Sequence, residues 1–228
     1  MVVPYLEYEL VDRRTAKRME GILEKSYATY WKKKRIFDVI VTGLMLIVLI
    51  LPMLLIGLII WIDDPHGSPI YRQVRVGRHG ETFFMYKFRS MYVDADARKN
   101  ELLAHNEMDG PVFKMKDDPR ITRVGSWIRK CSIDELPQLF NVFVGNMSLV
   151  GPRPPLPEEV LKYTDYEKLR LLVTPGITCT WQIAPHRNDI SFEKWIEMDL
   201  TYIETRTTWQ DIQIICKTPL AMLKATGR

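Results

Sequence analysis

Two adjacent carboxylates, Asp134 and Glu135, stand in the stretch SWIRKCSIDELPQLFNVFVGNMSLVGPRP. Arg129 and Lys130 lie just before them, and Arg153 lies just after in a Gly-Pro-Arg-Pro turn. A carboxylate beside cations has a depressed pKa and stays ionised, so it can attack phosphorus or hold a divalent metal. Neighbouring guanidinium groups offset charge on a transferring phosphoryl group. Mg2+ is the ion that suits such a site, with one or two carboxylates and substrate phosphate oxygens as ligands. The pattern Ser132-Ile133-Asp134-Glu135 also matches a capping box, with Ser132 at the N-cap and Glu135 reaching back to the backbone. Those four residues alone favour plain capping. The density of cations favours phosphate chemistry at a helix N-terminus, where free N–H groups add positive potential.

The elements that bring these groups together follow from periodicity and punctuation. A helix is expected from Asp134 to about Val144, ahead of the Gly-Pro-rich turn. Two alternating runs, Pro69 to Val76 and Thr82 to Arg89, are separated by Gly77-Arg78-His79-Gly80, a hairpin signal. The second run places Lys87 and Arg89 on one strand face, since they are two residues apart. ITRVGSWIRK reads as a short amphipathic element. Further helices are expected over about Thr15 to Tyr30 as a solvated or surface-lying lead-in, over Ala95 to His105, over Glu158 to Val173, and over Ser191 to Ala225 with an interruption near Trp209. The fold class is mainly α with one small β-hairpin.

From Ile36 to Ile62 the chain is almost entirely apolar, with Pro52 near the middle. Such a run makes about 40 Å of helix, enough for a hydrocarbon core of about 30 Å. Few soluble helices are apolar on every face, so the segment is read as membrane-inserted. Lys32, Lys33, Lys34 and Arg35 put its first end in the cytoplasm. Arg72, Arg75 and Arg78 follow closely, and a full crossing would export the chemistry to the side without nucleotides. A helix-break-helix hairpin turning at Leu51-Pro52 satisfies both ends. The expectation is a monotopic protein with a re-entrant anchor, divided as residues 1–35, 36–62 and 63–228.

The 228 residues allow one domain plus such an anchor, and the net charge of +4 suits an anionic membrane face or a phosphorylated ligand. The three cysteines are far apart and match no disulfide, metal or redox spacing, which fits a reducing compartment. The four histidines form no zinc pattern. Basic residues alternate with acids and no stacking platform is apparent, so no nucleic-acid partner is expected.

The residues also carry a resemblance. KRIFDVIVT, PIYRQVRVGRHGETFFMYKFRSM, DDPRITRVGSWIRKCSIDELPQLFNVFVGNMSLVGPRP, TPGIT and the MDLTYIE run resemble the bacterial sugar transferases, the monotopic polyprenol-phosphate phosphoglycosyl transferases, from about Lys33 to the C-terminus. The resemblance implies transfer of a sugar-1-phosphate from a UDP-sugar to a membrane polyprenol phosphate, with release of UMP and Mg2+ as cofactor. This step starts surface polysaccharide and glycoconjugate assembly on the cytoplasmic face of the bacterial inner membrane.

Carried over by position, Asp134 is the nucleophile that forms a phosphosugar intermediate and the residue that holds Mg2+, and Glu135 is its acidic partner. Lys87, Arg129, Arg153 and Arg187 match basic positions around the phosphates, Asp199 the acidic residue of an LD-x-x-Y run, and Pro52 the helix-breaking proline. The chain departs from the family pattern at Cys179, where Gly is usual. It departs again at Gln182-Ile-Ala-Pro-His-Arg187, which is one residue longer and lies where donor specificity is expected. No multi-helix segment precedes Ile36, so a minimal catalytic unit is expected. Amphipathic Trp- and Tyr-bearing segments leave room for a homodimer at the membrane. A catalytically dead membrane adaptor is the rival reading, and the intact dyad argues against it.

Overall fold

A computed structural model describes residues 12–24, 28–98, 101–102, 115, 117–185 and 189–224. Helix α1 (Arg13–Glu24) starts at Asp12, whose carboxylate accepts hydrogen bonds from the amides of Arg14 at 2.9 Å and Thr15 at 3.1 Å. It is not the solvated lead-in expected from its charge. Met19 and Ile22 are buried in the core, while Arg18 reaches Glu197 at 2.9 Å and Glu204 at 2.5 Å. A helix with one apolar stripe buries it wherever a partner face exists, and the polar face then pairs with the same partner.

Helix α2 (Ala28–Asp63) runs as one element through Pro52, about 54 Å long at helical rise, so the break expected at Leu51-Pro52 is not present and the proline is accommodated inside the helix. It begins upstream of the apolar run, so the basic cluster Lys32 to Arg35 belongs to its first turns. Strands β1 (Ile70–Val76) and β2 (Thr82–Phe88) form the expected antiparallel hairpin, in register from Ile70 opposite Phe88 to Val76 opposite Thr82. Its turn needs a left-handed residue, and His79 takes it with φ 56°.

The chain continues through α3 (Ala95–Arg98), α4 (Arg123–Lys130), a 3-10 turn at Ile133–Glu135, and α5 (Gln138–Val144). The helix expected over Ala95 to His105 is seen at Ala95–Arg98, and residues 99–100 and 103–105 of that span lie outside the described residues. Strand β3 (Ser148–Val150) then pairs in parallel with β4 (Gly176–Thr178), a second small sheet that sequence periodicity did not reveal. Three-residue strands are too short to show alternation. The backbones approach so closely there that a Cβ on Gly176 would stand 2.1 Å from the Gly151 nitrogen.

The crossover between them, expected as one helix over Glu158 to Val173, is broken into α6 (Pro157–Val160), α7 (Asp165–Lys168) and a 3-10 turn at Leu169–Leu172. The break is local in origin. Thr164 caps α7 and Glu167 reaches back to the Thr164 amide at 2.6 Å, so a new helix starts inside the expected one. Helices α8 (Phe192–Thr205) and α9 (Thr208–Lys224) close the fold, separated at Arg206-Thr207. The core lies where α8, the 169–172 turn, β3, β4 and α5 meet, around Leu149, Val150, Leu169, Leu172, Ile196, Leu200 and Ile203.

Helix α2 is held to this body along its length. Lys34 Nζ lies 2.7 Å from Asp211 on α9, with both side chains under 5% exposed. The Asp38 carboxylate accepts from the Leu149 amide at 3.3 Å, and Arg35 donates to the carbonyls of Val142 and Phe143 at the end of α5. Beyond Pro52, Met53 and Ile60 are buried with Phe88 and Ile128. The opposite face, from Ile36 through Ile47, Leu51, Leu54 and Leu58 to Ile62, is exposed and apolar. Trp127 on α4 and Phe140, Phe143 and Val144 on α5 are also exposed. Among the described residues one helix is long and apolar enough for a membrane, and little of its most apolar stretch is buried.

Candidate active site

The carboxylate pair is set by the elements on either side of it. Thr122 caps α4 by accepting from the Gly125 amide at 2.8 Å. The start of α4 presses so closely on the segment after β2 that a Cβ at Gly125 would lie 2.0 Å from the Ser90 carbonyl oxygen. After α4 the chain reverses at Ser132, in the left-handed region with φ 52°, and enters the 3-10 turn that carries Asp134 and Glu135. Pro137, which has no amide hydrogen, cannot bond the Ile133 carbonyl. The Leu136 amide takes it instead at 3.1 Å, and α5 begins only at Gln138.

This corrects the capping-box expectation. Ser132 makes no cap bond, Glu135 does not turn back to the backbone, and the pair precedes α5 rather than occupying its first turn. Asn141 on α5 then locks this unit to the hairpin. Its amide donates to the Phe84 carbonyl at 2.7 Å and its oxygen accepts from the Tyr86 amide at 3.0 Å. Lys87, the next residue on β2, is thereby brought to the pair.

Lys87 Nζ lies 2.8 Å from Glu135 Oε1. Asp134, whose residue is only 8% exposed, makes no ion pair with any described cation. Burial opposes the Glu135 charge, but Lys87, then Arg153 and Arg75, outweigh it and hold its carboxyl below the usual range. Burial pushes Asp134 the other way, up to about 6, with Glu135 adding to the rise against the pull of Lys87 and Arg129. The expectation of a depressed pKa therefore holds for Glu135 and fails for Asp134. Counting cations along the chain cannot show which of two adjacent carboxylates the lysine reaches.

The Gly-Pro-Arg-Pro turn is held through its carbonyls. Prolines 152, 154 and 155 have no amide hydrogens, so the turn cannot bond itself and its acceptors need donors from outside. The Gly176 amide donates to the Pro152 carbonyl at 2.9 Å, Arg170 Nη2 to the Arg153 carbonyl at 3.2 Å, Arg75 Nη1 to the Pro154 carbonyl at 2.9 Å, and the Val76 amide to the Pro155 carbonyl at 2.9 Å. The Arg153 guanidinium lies 3.7 Å from buried Glu159 Oε2.

Five of the expected site residues therefore gather: Glu135 and Lys87 by contact, Asp134 as the neighbour of Glu135 in the chain, and Arg129 and Arg153 acting on the pair through their charges. Arg89 is directed elsewhere. It follows the last residue of β2, and its guanidinium lies 2.7 Å from Asp64 at the end of α2. Asp199 is buried on α8 and pairs with Arg170, so it stands behind the Gly-Pro-Arg-Pro turn. Arg187 lies outside the described residues. Sequence reading missed Arg75, Glu159 and Arg170. A signal existed for Arg170, a lone guanidinium in the apolar run LRLLV, where a buried charge needs a partner.

Among the described residues no cluster of three or more His, Cys, Asp or Glu side chains gathers to cage a metal. The arrangement instead fits an ion that takes one carboxylate and completes its shell with substrate phosphate oxygens and water. Asp134, uncommitted to any described cation, is the carboxylate available.

A buried carboxyl thus stands among cations on a mostly helical body with two small sheets, flanked by a long apolar helix. The chain belongs to the bacterial sugar transferase family, whose signature matches residues 29–225. It is 42% identical over 231 residues to the galactosyl transferase CpsE of Streptococcus agalactiae, an alignment covering 99% of this chain and 51% of that protein. It is 44% identical over 201 residues to the undecaprenyl-phosphate galactose phosphotransferase of Salmonella typhimurium, covering 85% of this chain and 41% of that one. It is 45% identical over 199 residues to the UDP-galactose-lipid carrier transferase of Erwinia amylovora, with 85% and 41% covered. The chain thus spans about half the length of these relatives, or less.

Proposed function

We propose that this chain transfers a sugar-1-phosphate from a UDP-sugar to a membrane polyprenol phosphate, releasing UMP and starting surface polysaccharide or glycoconjugate assembly. The observation that carries the reading is the division of the carboxylate pair: Glu135 is bonded by Lys87, and Asp134 is buried and uncommitted beside Arg129. The names of the Salmonella and Erwinia relatives support a phosphorylated lipid acceptor and a UDP-linked donor.

In the first step a carboxylate oxygen of Asp134 attacks the β-phosphorus of the donor. The bond from that phosphorus to the bridging oxygen breaks, and UMP leaves with the electron pair. In the second, an oxygen of polyprenol phosphate attacks the phosphosugar on Asp134, forming a diphosphate bond and returning the carboxylate. A raised pKa makes Asp134 a more basic nucleophile than an ordinary aspartate while leaving it mostly ionised at neutral pH. Lys87, Arg129 and Arg153 would offset charge on the phosphates. Mg2+, held by Asp134 and the donor oxygens, would add to that neutralisation.

The anchor is read as re-entrant, with both ends of α2 on the cytoplasmic face of the inner membrane. Support comes from its contacts on both sides of Pro52. Lys34 and Asp38 bind α9 and β3, while Met53 and Ile60 pack with Phe88 and Ile128. A straight crossing would drag those parts of the body to hydrocarbon depth, where their backbone groups and ion pairs are costly.

The test is UMP release from a panel of UDP-sugars, with polyprenol phosphate and Mg2+ each added or withheld. Release with one donor that depends on lipid and metal is the expected result. No release from folded, detergent-solubilised protein would sink the proposal.

A further inference from the structure

Arg153 is the cation of the site that sits on a loop, and a loop places a guanidinium only as well as the loop itself is held. Two buried arginines hold this one. Arg170 donates to the carbonyl of Arg153 itself, and Arg75 donates to the carbonyl of the next residue, Pro154. They approach from different elements, the 169–172 turn and strand β1. Each is fixed in turn. Arg170 Nη1 donates to the Tyr163 hydroxyl at 3.1 Å and Nη2 to the Asp199 carboxylate, with Arg170 and Asp199 side chains 2% and 1% exposed. Arg75 donates twice to the Gln73 side-chain oxygen, from Nε at 3.0 Å and Nη2 at 2.6 Å.

Both arrangements bury a charge. Arg75 is buried without a carboxylate within ion-pair distance among the described residues, and its charge lies near that of Arg153. Burying a cation is costly, and an apolar side chain would avoid that cost but leave the Pro154 carbonyl without this donor. The cost is reasonable if the geometry of those carbonyls matters. Asp199 then has a role through Arg170 rather than through a substrate.

We infer that Arg75 and the Arg170–Asp199 pair are positioning residues for Arg153: they clamp its own carbonyl and that of Pro154 and so aim its guanidinium at the phosphates of the donor. The inference rests on the proposed function for its readout in turnover. An independent readout comes from the turn, whose other two carbonyls are bonded by the amides of Gly176 and Val76.

The experiment uses the full chain in detergent. Hydrogen exchange is followed at the Gly176 amide in Arg75→Met and at the Val76 amide in Arg170→Lys, each amide lying across the turn from the substitution. Both amides exchange faster than in the wild type if the clamp holds the turn; an unchanged rate at either overturns the inference.

UMP formation is then measured in a double-mutant cycle. Arg75→Met and Arg170→Lys each lower kcat/KM about a hundredfold in the wild-type background, as expected for a misplaced contact. In the Arg153→Ala background Arg170→Lys changes it little and Arg75→Met much less than in the wild type, the remainder coming from the Arg75 charge on Glu135. An equal loss in both backgrounds means they act without Arg153 and overturns the inference. If Arg170→Lys fails to fold, Arg75→Met carries both measurements. A wild type inactive with every donor would remove the proposed function, and the exchange rates would still decide the clamp.

Discussion

Lys87 Nζ stands 2.8 Å from Glu135 Oε1 and bonds no oxygen of Asp134, the very next residue. One ammonium therefore divides two neighbouring carboxyls, holding Glu135 ionised while Asp134 is left to the effect of burial. Opposite shifts in adjacent titratable groups mark a division of labour between them, with one poised to react and the other fixed in charge.

Asp134→Asn should abolish turnover and leave membrane association intact, because α2 lies elsewhere. It should also stabilise the protein in a pH-dependent way. A carboxyl whose folded pKa lies above its unfolded one binds its proton more tightly in the native state. That advantage is complete below about pH 4 and is lost as pH rises through about 6. At pH 8 the buried charge costs the native state about 3 kcal/mol, an upper figure that asparagine does not incur. Thermal unfolding should show the variant with the higher Tm at pH 8 and the gain shrinking toward pH 4. A gain that is flat with pH would remove the argument from burial.

Lys87→Met should raise the pKa of both carboxyls, since the ammonium lowers each. The wild-type kcat/KM should fall as pH drops below about 6, where Asp134 takes its proton. In Lys87→Met this acid limb should move to higher pH, on top of a loss of about a hundredfold at its optimum. A pH profile of UMP release with an unmoved limb would separate Lys87 from the dyad.

Much of this arrangement is legible in the sequence where the signal is local. Gly77 to Gly80 announces the hairpin, and the apolar run of α2 needs no partner to be recognised. The interruption between α8 and α9 falls three residues from Trp209. What escapes is set by distant groups. Ser132 to Glu135 carries every residue of a capping box, yet Pro137 cuts the bond ladder and the two carboxylates fall in a separate turn. The partners of Arg75 and Arg170 are hidden in the sequence, because the carbonyls of Pro154 and Arg153 that they bond lie 79 and 17 residues away.

Asp211→Asn tests whether the first turns of α2 are structurally part of the body. Asp211 accepts from Lys34 at 2.7 Å, Tyr30 at 3.1 Å and Tyr202 at 2.6 Å, and removing its charge leaves the Lys34 ammonium buried without a carboxylate. Breaking a buried pair from one side costs about 3 to 5 kcal/mol. Denaturant unfolding in detergent should show a loss of that order. A loss below about 1 kcal/mol would mean that the ammonium escapes to solvent and the contact is dispensable.

The course of α2 makes the last prediction. Lys33 and Glu81 are exposed residues on either side of the apolar segment. Cysteines placed singly at these positions, in a chain with Cys131, Cys179 and Cys216 replaced, should both react with an impermeant maleimide from the cytoplasmic face of membrane vesicles. Labelling from opposite faces would establish a crossing helix and end the re-entrant reading. Pro52→Ala restores the helical hydrogen bond that proline removes and favours a straighter segment. The contacts of Lys34 and Asp38 before it, and of Met53 and Ile60 after it, act against a full crossing. The two effects oppose each other, so a minor fraction of Pro52→Ala should show Lys33 and Glu81 on opposite faces. That fraction should grow when Asp211→Asn is added, because the second change frees the end of α2 that the body holds most tightly.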